Sequence, residues 1–258
     1  MFKRILILLK NGLKKDNQIV EDIKNILNKS EIKTLGFNEL KRKDVLNVDL
    51  VITIGGDGTF VKAAHLVENS FILGINSNPE TSEGALTSIN LGEINKLRFL
   101  DKNNYCVIER PRAEVILNKK VLDEKAVNEV YIGAASQFHS SRYKIKFNGQ
   151  EEEQRSSGIL VSTGTGSAAW FSSAGGKPFH HEDKKLCFLV REPYIGKRLF
   201  KPTILNGEVL ENKSIIVKST RDFGGIIAIN DSTYDFNSGD VVEVRLSDKP
   251  LKVIELKS

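Results

Sequence analysis

Residues 51–60 read Val-Ile-Thr-Ile-Gly-Gly-Asp-Gly-Thr-Phe. Four strand-forming residues run straight into a glycine-rich turn with one carboxylate at its centre. Gly55, Gly56 and Gly58 have no Cβ and reach positive φ without steric cost, so the backbone there can come close to a charged ligand. Successive N–H groups in such a turn make an anion-binding concavity suited to phosphates. Asp57, lying among those amides, can bind a cation or take a proton from an attacking hydroxyl. A phosphate cradle with a single carboxylate at a strand end predicts phosphoryl transfer. The competing reading is an ordinary βα turn with an incidental Asp. Glycines on both sides of that one Asp argue against it.

Outward from this turn, the first hundred residues alternate between strand and helix patterns. Ile5–Leu9, Glu31–Leu35, Asp49–Ile54 and Phe71–Ile75 read as strands. Ile19, Val20, Ile23, Ile26 and Leu27 fall at helical spacing behind Asp16 as a candidate cap, and Thr59–Glu68 has helical periodicity. Such alternation predicts a parallel sheet flanked by helices. In open α/β sheets ligands bind beyond the carboxyl ends of the strands, where Gly55–Gly58 and Gly74-Ile75-Asn76 both fall. After about residue 104 the pattern changes. Cys106–Ile108, Glu114–Leu117, Val127–Ile132, Tyr143–Phe147, Ile159–Ser162, Ser214–Lys218, Gly225–Ile229, Val241–Leu246 and Leu251–Leu256 are short strand-like runs between turn residues. They predict a β-rich, sandwich-like domain, interrupted by one helical stretch from Gly166 to about Ala174. The expected division is an α/β domain over 1–100 and a β-rich, dinucleotide-binding domain over 101–258. The last strand is a candidate for return to the first domain.

Bulk properties exclude several classes. A chain of 258 residues, 40% hydrophobic and 28% charged, is that of a globular protein with a real core. The net charge of +5 comes from 38 basic and 33 acidic residues, and no dense basic tract marks a nucleic-acid site. The apolar run Ile5–Leu9 is too short for a signal peptide and reads as a first buried strand. No segment has transmembrane length. Cys106 and Cys187 show no metal or redox spacing and sit in apolar stretches, so both are expected as buried thiols in a reducing compartment, the cytoplasm.

A second constellation occupies residues 158–176, Gly-Ile-Leu-Val-Ser-Thr-Gly-Thr-Gly-Ser-Ala-Ala-Trp-Phe-Ser-Ser-Ala-Gly-Gly. A strand enters a turn of Thr, Gly and Ser, then a short helix of small residues whose first N–H groups favour negative charge. The hydroxyls of Ser162, Thr163, Thr165 and Ser167 can serve phosphate or ribose, and Trp170 offers a flat surface for a base. Taken alone, a plain cap and a core Trp are equally good readings. Asn128-Glu129 places an amide and a carboxylate on a strand, a pair able to read a ribose diol or an adenine edge. His180-His181-Glu182-Asp183 reads as a solvated loop rather than a metal site. Glu151–Glu153 reads as exposed charge beside a hairpin turn at Asn148-Gly149.

In order along the chain, Gly55-Gly56-Asp57-Gly58-Thr59, Leu73-Gly74-Ile75-Asn76, Asn128-Glu129, and Thr165-Gly166-Ser167-Ala168-Ala169-Trp170 with Ser173-Ala174-Gly175-Gly176 resemble the NAD kinase family. Asn76–Gly84, Arg155-Ser-Ser-Gly158 and Val190-Arg-Glu-Pro193 look like its mitochondrial-type branch and bacterial relatives. The resemblance implies the NAD kinase/diacylglycerol kinase-like fold and a homo-oligomer, a homodimer or homotetramer. It implies transfer of the ATP γ-phosphoryl group to the adenosine ribose 2′-hydroxyl of NAD, with Mg²⁺ held mainly by substrate phosphates. By motif match Asp57 would be the catalytic carboxylate, and Gly55, Gly56, Gly58 and Thr59 would shape the ATP phosphate site. Asn76, Asn128, Glu129, Thr165, Gly166, Ser167, Ala169, Trp170 and Ser173 would hold the dinucleotide. The chain departs from the common family form at Ser157, where most members carry Asp, and at Ala168 and Trp170, where Thr and Tyr are usual. A non-catalytic NAD(P) sensor of the same fold is therefore the alternative from another class. A lipid kinase shares Gly-Gly-Asp-Gly-Thr but not the segment that follows, and a sugar kinase of the phosphofructokinase type shares only the turn.

Overall fold

The computed structural model describes residues 2–14, 17–101 and 104–257. The chain forms two compact units, residues 1–109 with 251–258, and residues 110–250.

The first unit is built on the apolar runs. Strands β1 (Arg4–Leu9), β2 (Glu31–Gly36), β3 (Leu50–Gly55) and β4 (Phe71–Asn76) are parallel neighbours in the order β2-β1-β3-β4. β3 is buried along its whole length, which is why it reads as an unbroken apolar run rather than an alternating one. A two-residue strand, β5 (Ile89–Asn90), pairs with β4. The chain's final strand, Leu251–Leu256, lies parallel to β4, with β6 (Tyr105–Arg110) at the sheet edge beyond it. Helix α1 (Gln18–Ile26) turns Val20 and Ile23 onto the core with Leu50, Ile52 and Ile54. Its cap is Asn17, whose side chain accepts the Ile19 N–H at 3.0 Å; the expected cap, Asp16, lies outside the described residues. Helix α2 spans Asp57–Ala64, starting two residues before the expected Thr59 and ending earlier.

The second unit is a sandwich of two six-stranded antiparallel sheets. The strands are β7 (Ala113–Leu117), β8 (Lys120–Ala126), β9 (Glu129–Ala134), β10 (Ser141–Phe147), β11 (Gln150–Ser156), β12 (Ile159–Ser162), β13 (Lys185–Val190), β14 (Asn206–Leu210), β15 (Ser214–Ser219), β16 (Gly225–Ile229), β17 (Ser232–Asp235) and β18 (Val241–Leu246). One sheet runs β11-β10-β15-β18-β7-β8 and the other β14-β13-β12-β9-β16-β17. One core receives residues of both sheets, among them Val115, Ile145, Val217 and Val244 from the first and Ile132, Val161, Phe188 and Ile227 from the second. Burial alternates along β10 and β15, with Tyr143, Ile145, Ile215 and Val217 turned into the core.

Several expectations are corrected here. Cys106 is exposed, because β6 is an edge strand, and Cys187 is half-buried. Glu151–Glu153 lie on β11 directly after the hairpin turn at Asn148-Gly149, and Glu151 and Glu153 are exposed as expected, but Glu152 is not free charge. It accepts the N–H groups of Thr203 (2.9 Å) and Ile204 (2.8 Å) and the Thr203 hydroxyl (2.8 Å), anchoring the loop before β14. The Gly166–Ala174 helix is two single turns, Gly166–Ala168 and Trp170–Ser173, because Ala169 leaves the helical region at φ −98°, ψ −121°. Turns this short carry no helix dipole worth invoking.

Candidate active site

The site residues fall into two groups, one on each unit. In the first, β3 delivers Gly55 to the carboxyl end of the sheet and α2 begins two residues later. Gly55 is required by crowding: a Cβ there would overlap the hydroxyl of Thr59, which is buried against it. A Cβ on Gly56 would stand 2.5 Å from Ser82 Oγ. Gly58 is different, since a Cβ there would meet no atom within 4 Å. The chain's own packing leaves the start of α2 open above Gly58.

Asp57, half-buried in the first turn of α2, has its carboxylate fixed by the loop that follows β4. Oδ1 accepts the Leu86 N–H at 2.8 Å and Oδ2 accepts the Ala85 N–H at 3.2 Å. Each oxygen keeps a further lone pair. Asn76, at the end of β4, organises the same loop. Its Oδ1 accepts the Asn78 N–H at 3.0 Å and its Nδ2 donates to Ser82 O at 3.2 Å. Gly84 closes the loop at φ +64° beside the Asn76 amide, a backbone that favours glycine. Ser82 and Gly84 fall within the Asn76–Gly84 run singled out in the sequence, whereas the Ala85 and Leu86 amides were not legible as site residues, because amide donors leave no side-chain signature.

In the second group, Asn128 and Glu129 enter β9, where Glu129 stands opposite Ser162 of β12. The turn after β12 folds back onto them. Thr163 N–H donates to Asn128 O at 2.9 Å, Gly166 N–H to Thr163 Oγ1 at 3.2 Å, and a Cβ on Gly166 would lie 2.6 Å from the Asn128 backbone. Gly166 is thus glycine so that the two motifs can touch. Ser167 fixes the turn to the following loop. Its hydroxyl donates to Gly164 O at 2.8 Å or to Phe179 O at 3.1 Å, and accepts the Phe179 N–H at 3.0 Å.

Two polar atoms of this group are buried with no hydrogen-bond partner among the described residues: Glu129 Oε2 and Thr165 Oγ1. Burial raises the Glu129 carboxyl to a pKa of about 7. Buried polar atoms are ordinarily paired, so these two are groups that a ligand can satisfy. Trp170 is 40% exposed. Its ring lies 5.5 Å from that of Tyr131, and the Arg191 guanidinium sits 5.1 Å from its centre. Tyr131 in turn donates to Ala134 O at 2.9 Å or Ser157 O at 3.1 Å. Ala169 is exposed beside Trp170, and Ser173, also exposed, donates to Ala169 O at 3.3 Å. Tyr131 and Arg191 were missed as neighbours of Trp170; their alternation on β9 and their place just after β13 were the available signals.

Comparison with known proteins bears on both groups. The model of the ATP-NAD kinase N-terminal domain matches residues 9–98, and that of the ATP-NAD kinase C-terminal domain matches residues 127–256. An NAD kinase of Clostridium botulinum (strain Eklund 17B / Type B) is 29% identical over 245 residues, covering 92% of this chain and 84% of its own. An NAD kinase of Caldicellulosiruptor bescii is 30% identical over 256 residues, covering 94% and 90%. Among solved structures, yeast NADH kinase complexed with NADH superposes with a TM-score of 0.80 at 16% identity, covering all of this chain and 84% of the other. With both domain models matched in order and a relative at 30% identity over nearly the full length, the chain belongs to the ATP-NAD kinase family.

Proposed function

We propose that this chain phosphorylates the 2′-hydroxyl of the adenosine ribose of NAD, using ATP as donor and Asp57 as the general base. The observation that carries the reading is the Asp57 carboxylate, held by two backbone amides at the head of a helix whose Gly58 faces open space. Open space above Gly58, together with the backbone amides that open α2, suits the donor phosphates. A carboxylate oxygen of Asp57 takes the proton of the ribose 2′-hydroxyl as the ribose oxygen attacks the γ-phosphorus, and ADP leaves. The chain's part is chiefly positioning, which is what phosphoryl transfer needs from a protein.

The second unit supplies the dinucleotide site in this reading. Glu129 Oε2 and Thr165 Oγ1 are its unsatisfied polar atoms, Asn128, Gly166, Ser167, Ala169 and Ser173 shape it, and Trp170 gives an apolar face. Asn76 acts by holding the loop that positions Asp57. Mg²⁺ fits the Gly55–Thr59 turn, which offers the hard oxygens of Asp57 and no imidazole or thiolate. Substrate phosphates would hold the ion mainly, beside the Asp57 carboxylate; when bound, it would neutralise charge on the transferring group. The enzyme works as a homo-oligomer in the cytoplasm. Purified protein with ATP, Mg²⁺ and NAD⁺ is expected to yield NADP⁺ in an enzymatic cycling assay. Tight NAD⁺ binding with no NADP⁺ formed would replace this reading with that of a sensor.

A further inference from the structure

The loop read from sequence as solvated, His180-His181-Glu182, brings one ligand atom from each residue to within 4.8 Å of the others. His180 Nδ1 lies 3.9 Å from Glu182 Oε2, and the two imidazole rings stack with centres 4.3 Å apart. We propose that these three side chains form a binding site for a zinc-type divalent ion, with water completing the coordination. Two imidazoles and a carboxylate are the donor set that selects Zn²⁺, Ni²⁺ or Cu²⁺ over Mg²⁺.

The backbone beneath the cluster is held firm. The Asp183 N–H donates to His180 O at 3.1 Å, closing a turn. Both polar atoms of the Phe179 backbone bond the Ser167 hydroxyl, and the His180 carbonyl packs so closely on Gly164 that a Cβ there would overlap it. A tetrahedral ion with bonds of about 2.0–2.1 Å needs donor atoms roughly 3.3 Å apart. The three donors, within 4.8 Å of one another, would close to that spacing by rotation of the side chains on this turn. The rotation gives up the bond from the Glu182 N–H to His180 Nδ1 at 3.3 Å and the stack of the two rings. An ion so bound would stiffen the turn against Gly164–Ser167.

The test is Zn²⁺ binding by tag-free protein at neutral pH, read by competition with a chromophoric chelator and with no nucleotide present. It therefore stands or falls apart from the kinase reading. Cys106→Ser removes the exposed thiol as a competing ligand. The expected result is one equivalent bound with micromolar or tighter affinity, weakened roughly tenfold or more by His180→Ala, by His181→Ala and by Glu182→Gln. Co²⁺ substitution should give the visible absorption of a four- or five-coordinate ion, lost in the same variants. Because these side chains lie on a turn held through backbone, the variants keep the wild-type melting temperature. Affinity unchanged in all three variants, or uptake without saturation at one equivalent, would overturn the proposal.

Discussion

Gly58 separates the needs of the fold from those of the chemistry. Its neighbours Gly55 and Gly56 are glycine because Thr59 and Ser82 occupy the space a Cβ would take, whereas nothing in the chain crowds Gly58. Gly58→Ala should therefore leave stability unchanged or raise it by up to about 1 kcal/mol through helix propensity, while kcat/KM falls roughly tenfold or more as the methyl meets the donor phosphates. Urea unfolding and steady-state rates read the two effects; a stable, fully active variant would remove phosphate from that space. Glu129 offers a second test. Its carboxyl ordinarily titrates near 4.5 and is raised by burial to about 7 in the folded chain. Between those values the folded state holds a proton that the unfolded state has released, so stability falls as pH rises from about 4.5 to about 7 and levels off above. Full expression of that shift would be at most about 3.5 kcal/mol, at about 1.4 kcal/mol per unit. Glu129→Gln should flatten this stretch of the stability profile, read as urea midpoints across that pH range. Parallel profiles for variant and wild type would contradict it.

At the scale of elements, exposure of the thiols follows from strand position. Cys106 lies on the edge strand β6, and Cys187 on β13, between β12 and β14, where burial raises its thiol to a pKa of about 11. A thiol-specific disulfide reagent should titrate Cys106 at once in the native protein and Cys187 only after denaturation. Equal rates would show that β6 or β13 is placed wrongly. The same logic of edge and interior explains what the sequence disclosed. Three parallel strands of the first unit, β1, β3 and β4, were legible because burial on both faces makes them unbroken apolar runs, as in Leu50–Gly55. The strands left unread include all four edges of the sandwich, β8, β11, β14 and β17. Edge strands carry charge on purpose to block pairing with another chain, and Gln150–Ser156 reads Gln-Glu-Glu-Glu-Gln-Arg-Ser. The β7–β8 turn hid as well, since Asn118 and Lys119 take positive φ there without a glycine. Asp57 and the Gly55–Thr59 turn were plain in the sequence because glycines and a carboxylate carry their chemistry locally. The Ala85 and Leu86 amides that aim the carboxylate were not.

For the whole molecule, the chain passes between its two units twice, at Glu109–Arg110 and at Pro250–Leu251. In the proposed function the phosphate turn belongs to the first unit and the dinucleotide site to the second. Dinucleotide binding should then be visible as slowed amide hydrogen exchange at Glu129–Ala134 and Ile159–Ser173, while β1 and β2 exchange as before. Protection confined to the first unit would reverse the assignment. The account rests most heavily on Asp57, and the most direct measurement is the rate of NADP⁺ formation by Asp57→Asn beside its NAD⁺ affinity. The predicted result is a rate lowered by about two orders of magnitude or more, with NAD⁺ bound about as tightly as by the wild type. A variant that still turns over at close to the wild-type rate would contradict the role of this carboxylate as general base.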